Sequence, residues 1–348
     1  MPSDAKGWNL GVRARPFSLC ILGSPDDLPP KVWRAGERAL WYAKWRGRVK
    51  LSSWRKACLN STPGLSGRKG TMSKIIWLAS YPKSGNTWMR AFLHNLFRDP
   101  EEAYDINKIT DFSTSDSSIN WYQAQDKRNW TEWSAVDVAR MRRGAQLAMC
   151  QMMKDDLFVK THNASVKFLG YPMMHQDLTA GAIYIVRNPL DVCISLSHHY
   201  GTDIDTTIDI LADPSIGSKT NDKIVYEVHK SWSIHVDSWT NPPRPGFAIL
   251  RYEDMLNNPI KTFGGLSQFL GVNPPRKRLE RAIERASFKT LRRQEDERGF
   301  KEKSPFAQKF FRAGRAGQWR ELMTQPQIDK VVSQHKEQMQ RFGYWPLR

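Results

Sequence analysis

Cysteine is scarce in this sequence, and no apolar run is long enough to cross a membrane. The four cysteines, Cys20, Cys58, Cys150 and Cys193, lie far apart and show no CxxC spacing. This excludes a disulfide framework or a zinc site as the basis of the fold. The apolar run PFSLCILG (residues 16–23) is too short, and too closely flanked by arginine, for a secretory signal or a membrane span. We therefore expect a cytoplasmic protein without stable membrane insertion.

Acidic residues are also few relative to basic ones. The chain has 53 Lys or Arg and 35 Asp or Glu, which gives a formal charge of +18 and predicts attraction to polyanions such as nucleic acid, an anionic membrane or a multiply charged ligand. Residues 1–71 hold 14 of the basic and 4 of the acidic residues. We interpret residues 1–72 as a basic, poorly ordered extension, with Met72 as a candidate natural start; a segment that touches membrane or nucleic acid is the alternative.

Short strand patterns alternate with helical patterns after Lys74. Residues 74–80, 156–161, 181–187 and 246–252 are almost continuously apolar, as in strands that are covered on both faces. Helical patterns occupy residues 87–98, 134–153, 189–200, 222–240, 258–270 and 326–342. The alternation predicts an α/β fold, a single domain with a central, largely parallel sheet flanked by helices. Ligands of such sheets bind at the carboxyl ends of the strands.

The segment YPKSGNTW, residues 81–88, joins the first predicted strand to a helix. A helix N-terminus attracts anions through its free N–H groups and partial positive charge. Gly85 lets a ligand approach the backbone, Ser84 and Thr87 add hydroxyl donors, and Lys83 adds a positive charge. We interpret the segment as a P-loop-like cradle for phosphate or sulfate, although the GxxxxGK[ST] pattern is absent. An ordinary surface turn with a solvated lysine is the alternative.

Two further strand ends carry polar side chains. Arg187 ends the third predicted strand, and Ser195 lies about two turns into the helix that follows; the arginine could bind phosphate bidentately or pair with Asp191 for stability. Lys160 and His162 follow the second strand. A histidine in such a place can take a proton from an attacking alcohol or phenol, although most lone histidines are structural.

Five motifs in order, YPKSGNTW, VKTH, YIVRNPLDVCISLSHHY, RYEDMLNNP and FFRAGRAGQW, resemble those of cytosolic-type sulfotransferases, which use 3'-phosphoadenosine 5'-phosphosulfate (PAPS). The resemblance covers about residues 74–345 and implies a sulfotransferase domain at 73–348. It implies in-line transfer of sulfonate from PAPS to a hydroxyl or amine of a small acceptor, with 3',5'-adenosine bisphosphate (PAP) as product. No carboxylate cluster at metal-ligand spacing accompanies the loop, so we expect no metal. We expect no nucleic acid partner.

The resemblance also implies roles for single residues. Lys83 resembles the lysine that stabilises the leaving phosphate, His162 the general base, and Lys160 its cationic neighbour. The other positions resemble nucleotide-binding residues: Ser84, Gly85, Asn86 and Thr87 for the 5'-phosphosulfate; Arg187, Ser195, Arg312 and Gly314 for the 3'-phosphate; Trp88, Ser287 and Phe288 for adenine. Ser195 is also expected to restrain Lys83 until substrate arrives.

The chain departs from the family pattern at three places. Ala313 replaces the usual lysine between Arg312 and Gly314, and Ser233 stands where a tyrosine is usual, so two nucleotide contacts are expected to be weaker. The usual C-terminal dimerisation signature has no counterpart in DKVVSQHKEQM, residues 329–339, and the oligomeric state is not predicted.

Two other functions are compatible with parts of the sequence. A nucleotide kinase or NTPase would use residues 81–88 for ATP and magnesium, and a non-enzymatic protein would bind nucleic acid through the basic tail. The acceptor itself cannot be predicted. Its pocket is expected to come from residues 99–131 and 201–222, where Trp121 and Tyr122 either line the pocket or pack at its rim.

Overall fold

The computed structural model describes residues 72–153 and 155–347, and every structural statement below refers to them. The N-terminal extension expected at residues 1–72 lies outside this range except for Met72, and so do Cys20 and Cys58. None of the helices in the described ranges is both long enough and apolar enough to span a membrane.

Nine strands form one central sheet and two small antiparallel pairs. In chain order they are β1 (Ile75–Ser80), β2 (Ser113–Ser115), β3 (Leu157–Thr161), β4 (Lys167–Phe168), β5 (Tyr171–Pro172), β6 (Thr179–Val186), β7 (Gly217–Ser218), β8 (Glu227–Val228) and β9 (Phe247–Arg251). The central sheet has the order β2-β3-β1-β6-β9, and its strands are parallel throughout. The predicted parallel sheet is confirmed.

Helices cover the sheet and fill the connections. They are α1 (Asn86–Arg98), α2 (Ile119–Gln123), α3 (Ala135–Met152), α4 (Pro189–Tyr200), α5 (Ile204–Ala212), α6 (Trp232–Thr240), α7 (Tyr252–Asn257), α8 (Pro259–Phe269), α9 (Arg276–Arg285), α10 (Phe288–Arg298), α11 (Trp319–Leu322) and α12 (Gln325–Arg341). Short 3-10 helices occupy Ile106–Asp111, Trp130–Glu132 and Gln176–Leu178.

The two faces of the sheet bury separate apolar clusters. Trp77 and Ala79 of β1 point into a cluster that includes α4 and α12, whereas Leu78 points into a cluster with α1, α8 and α9. Successive side chains of a strand point to opposite faces. A strand covered on both faces must therefore be apolar at nearly every position, which explains the continuous apolar runs.

Helix ends follow the local signals in the sequence. Asn188 caps α4 by accepting a hydrogen bond from the backbone N–H of Leu190 at 3.0 Å, and Pro189 occupies the first turn, where its missing N–H is not needed. Ser134 and Asp137 form a reciprocal capping box at the start of α3. These two starts were predicted within a residue.

Three predicted elements differ in the structure. The helix predicted at 222–240 begins only at Trp232, because the backbone of Val228 instead bonds to the loop after β3. The strand predicted to reach Tyr252 ends at Arg251, and Tyr252 opens α7. Helix α5, which is capped by Asp203, lies within residues 201–222, where no helix was predicted.

Candidate active site

The carboxyl ends of four neighbouring strands meet at one edge of the sheet. Ala79 pairs with Thr161, Ser80 with Ile185 and Val186 with Arg251 in the parallel registers. The residues that follow these strands are therefore brought together, as expected for a parallel sheet.

The loop after β1 turns sharply before α1. Ser84 donates its N–H to the carbonyl of Tyr81 at 3.3 Å, and the Asn86 side chain donates to the carbonyl of Leu78 at 2.8 Å, which fixes the first residue of the helix to the strand. Gly85 has φ 108°, a conformation that residues with a side chain rarely adopt. A Cβ there would also lie 2.8 Å from Cδ2 of Tyr252. Glycine is therefore required at this position for two reasons, the backbone conformation and the closeness of the Tyr252 ring.

Four buried polar atoms around this loop have no hydrogen-bond partner within the described residues. They are Oγ of Ser84, Oδ1 of Asn86, Nε1 of Trp88 and Nε of Arg187. Buried polar groups are normally paired, so such a group in a native protein calls for an explanation. Three of the four can donate, Ser84 and Trp88 at the start of α1 and Arg187 at the end of β6, so they fit an anionic ligand carrying several acceptor oxygens.

Lys83 is held in a conformation that isolates its ammonium group. Its backbone has φ 66°, and Nζ lies 3.9 Å from the centroid of the Phe310 ring. Burial, and after it the charge of Arg187, lowers the pKa of Lys83 from 10.5 to about 7. The expected restraint by Ser195 is not seen, since no hydrogen bond joins these two side chains in the described structure. A role of Ser195 at the 3'-phosphate stays a prediction.

Arg187 holds the loop and faces the same space. Its Nη1 donates to the carbonyl of Lys83 at 2.9 Å, and its guanidinium lies 4.2 Å from the centroid of the Tyr252 ring. The alternative pairing with Asp191 is wrong. Asp191 instead accepts the backbone N–H groups of Gly317 and Trp319, at 2.6 and 3.4 Å, and so fixes the end of the segment that follows α10.

His162 lies across the cavity on the loop after β3. Its Nδ1 is 2.8 Å from the carbonyl oxygen of Ser80, to which it can only donate, so the neutral ring keeps its lone pair on Nε2. His235 hydrogen-bonds the carbonyl of His162 at 3.1 Å and fixes the loop further. Burial, and next the charge of Lys160, lowers the pKa of His162 to about 3. The imidazole is therefore neutral at pH 7.

A cavity of about 580 Å³ opens onto these groups. All of the residues predicted for the site line it except the buried Ser84: Lys83, Gly85, Asn86, Thr87, Trp88, Lys160, His162, Arg187, Ser195, Ser287, Phe288, Arg312 and Gly314. Thirteen residues from five separate stretches of chain thus meet in one space. Their individual functions stay predictions.

The family model of the sulfotransferase domain matches residues 73–343, which is more than half of the chain. The chain belongs to the sulfotransferase family.

Relatives of this sulfotransferase are distant. It is 23% identical to sulfotransferase 1A1 of the dog, Canis lupus familiaris, over 76% of this chain and 83% of that one. It is 25% identical to luciferin sulfotransferase of the firefly Photinus pyralis over 62% of this chain, and it spans 56% of that relative.

Solved structures share the fold. A mouse sulfotransferase complexed with PAP has a TM-score of 0.51 and 20% identity, with 81% of this chain and 88% of that chain covered. Retinol dehydratase in a complex with retinol and PAP has a TM-score of 0.53 and 18% identity, with 85% and 87% covered. At these identities the likeness establishes the α/β architecture.

The segment after α10 contributes to the wall of the cavity. Gly314, with φ 62°, lies so close to the Phe288 ring that a Cβ would be 2.2 Å from Cγ. Arg312 lines the cavity and hydrogen-bonds Gln318, and Ser287 caps α10 by accepting from the N–H of Thr290 at 3.3 Å. Ser287 therefore has a structural task besides any contact with a ligand.

Several residues that line the cavity of the sulfotransferase were not predicted from the sequence. They are His199, Glu227, His229, Glu302 and Phe310. Glu227, His229 and Glu302 lie outside the five motifs, whereas His199 and Phe310 lie within two of them but had no role assigned. The motif SHHY contained His199, but the helical period alone could not show which of its two histidines faces the cavity.

The predicted acceptor region contributes little to the cavity. Trp121 donates from Nε1 to the Thr114 hydroxyl at 3.0 Å, and the buried Tyr122 donates its hydroxyl to the carbonyl of Asp116. Neither residue lines the cavity, and both rings pack within an apolar cluster. Ser233, where a nucleotide contact was in doubt, hydrogen-bonds His335 of α12 at 2.8 Å.

Proposed function

We propose that this sulfotransferase transfers the sulfonate group of PAPS to a hydroxyl, or an amine, of a small acceptor and releases PAP. One observation carries the proposal: a buried lysine at a helix N-terminus, a strand-end arginine and a neutral histidine face one cavity at the carboxyl edge of the sheet. Family membership supports it over the kinase alternative. The PAP bound in both structurally similar proteins, and the retinol bound in one of them, support PAPS as the donor and a small acceptor.

Donor binding would use the unpartnered groups of the site. PAPS supplies an activated sulfonate when bound. Ser84, the N–H groups at the start of α1 and the Lys83 ammonium would bind the 5'-phosphosulfate. Arg187, Ser195 and Arg312 would bind the 3'-phosphate, and the rings of Trp88 and Phe288 would enclose adenine. Gly314 would let the segment after α10 approach. Ala313 leaves this site with one cation fewer than the family pattern has.

Lys83 and Lys160 would stabilise charge during transfer. Such transfers depend on in-line placement and on electrostatic stabilisation more than on covalent participation of the protein. The lowered pKa of Lys83 reports a poorly hydrated position, where a positive charge interacts strongly with a developing anion.

His162 would take the proton from the attacking hydroxyl on Nε2. The hydrogen bond from Nδ1 to Ser80 fixes the ring and leaves this lone pair available. Next to a bound polyanion the pKa of the imidazole rises above its value of about 3, towards the range in which a general base is effective.

Radiolabelled PAPS and a panel of phenols, alcohols and amines test this function. Replacing His162 by glutamine should lower kcat roughly 10²- to 10⁴-fold and leave the Kd of PAP almost unchanged. The matched control is His175→Gln, since His175 is half-buried and lies outside the cavity. Wild-type turnover in the His162 variant would remove its assigned role. Thermal stabilisation by ATP and magnesium, but not by PAP, would favour the kinase instead.

A further inference from the structure

Two acidic residues, Glu227 and Glu302, line the cavity. Glu227 lies on β8, and the next residue, Val228, donates its N–H to the Asn163 side chain at 2.6 Å and accepts the N–H of Ala164 at 2.7 Å. Asn163 directly follows His162 in the chain. The backbone of β8 is thus tied to the loop that carries the expected base, and Glu227 lines the same cavity as His162.

The Glu227 carboxylate is buried yet incompletely paired. Its residue is 7% exposed, and His229 is its one hydrogen-bond partner within the described residues, with Nε2 3.1 Å from Oε2. Burial by itself would raise the pKa of this carboxyl, but the hydrogen bond from His229 and the neighbouring charges lower it below its usual value. A carboxylate can accept about four hydrogen bonds, so most of this capacity remains.

The second carboxylate of the cavity is different. Glu302 receives Nη1 of Arg90 on both oxygens, at 2.8 and 3.0 Å, in a pair that closes the wall. Both carboxylates keep acceptor capacity, but Glu302 is held by its ion pair with Arg90, whereas Glu227 is paired within the described residues with His229 alone. A donor group on a ligand in the cavity would therefore find free acceptor capacity on Glu227.

We propose that Glu227 binds a second donor group of the acceptor, so that the preferred acceptors carry an ammonium or hydroxyl group besides the hydroxyl that is sulfonated. This inference rests on the proposed function and narrows its substrate class. A carboxylate that merely holds His229 and β8 would give no preference among acceptors.

Three phenols that differ at one position form the test: 4-ethylphenol, 4-(2-hydroxyethyl)phenol and 4-(2-aminoethyl)phenol. Their Kd values are measured by calorimetry with PAP present, and kcat/KM is measured with PAPS. At least one donor-bearing phenol should bind roughly 10- to 100-fold more tightly than 4-ethylphenol and have a kcat/KM that is higher by a similar factor, as expected for a charge-assisted hydrogen bond. Comparison of 4-(2-aminoethyl)phenol with 4-(2-hydroxyethyl)phenol shows whether Glu227 prefers a cationic or a neutral donor group.

Glu227→Gln should reduce the advantage of the donor-bearing phenol over 4-ethylphenol in both Kd and kcat/KM. For 4-ethylphenol itself, both quantities should stay within about twofold of the wild-type values. Asp222→Asn is the matched control, because Asp222 is an exposed acid five residues earlier and lies outside the cavity. Binding of PAP by the Glu227 variant shows that its fold and donor site are intact. Equal effects of the substitution on all three phenols, or tightest binding of 4-ethylphenol, would overturn the inference. Failure of the wild type to bind PAP would instead contradict the proposed function.

Discussion

Binding of PAP should depend on pH through Lys83. Burial and Arg187 lower the pKa of this lysine to about 7, whereas a bound bisphosphate favours the charged ammonium. Binding therefore takes up a proton wherever the free protein holds Lys83 neutral. With a pKa of about 7, roughly half of the free protein carries the charge at pH 7 and about a tenth at pH 8. Affinity for PAP should fall roughly fivefold from pH 7 to 8 and about tenfold from pH 8 to 9.

The titration of other groups does not obscure the effect of Lys83 on PAP binding between pH 7 and 9. In the free protein the pKa values of His162 and His199, both about 3, are too low for titration there, and PAP lacks the sulfonate group that would lie next to His162. The phosphates of PAP lose their second proton near pH 6, which gives the opposite slope below pH 7. The range from pH 7 to 9 therefore isolates the lysine.

Calorimetry in two buffers with different ionisation enthalpies measures both affinity and proton uptake. Close to one proton should be taken up at pH 8. The arginine in Lys83→Arg stays charged between pH 7 and 9, so this variant should bind PAP with little pH dependence. The control is Lys309→Arg, which changes an exposed lysine in the segment after α10 and should behave as wild type. A flat affinity between pH 7 and 9 in the wild type, or an unchanged slope in Lys83→Arg, would refute the reasoning.

Two predictions concern stability and can be measured by urea denaturation. Gly314→Ala should lower the free energy of unfolding by about 1–3 kcal/mol more than Gly271→Ala does. Both glycines have positive φ, but only at Gly314 would a Cβ overlap an aromatic ring, that of Phe288. Equal losses in the two variants would show that backbone strain alone matters. Asp116→Ala should cost about 3–5 kcal/mol, because it leaves the buried Arg142, 3.6 Å away, without its partner. Asp126→Ala, which breaks an exposed pair, should change stability little, and a similar loss there would contradict the argument.

The strands and the loop after β1 were predictable because their signals are local. Continuous apolar runs indicate strands that are covered on both faces, and a glycine between polar residues at a helix start indicates a turn that accepts an anion. The region 222–231 looked helical because its side-chain pattern is compatible with a helix. Its backbone groups instead bond to residues 163 and 164, a contact between distant segments that the pattern does not contain.

The amino-acid sequence by itself determined the class of fold, the order of the strands along the chain and the chemistry at each strand end. Only the tertiary structure decided that Phe310 covers Lys83 and that Glu227 faces the space in front of His162. The reason is physical: a strand end is set by the residues around it, whereas a cavity wall is set by segments that meet after long stretches of chain have folded. A pKa depends on the same assembly, since burial and neighbouring charges exist only once those segments have packed.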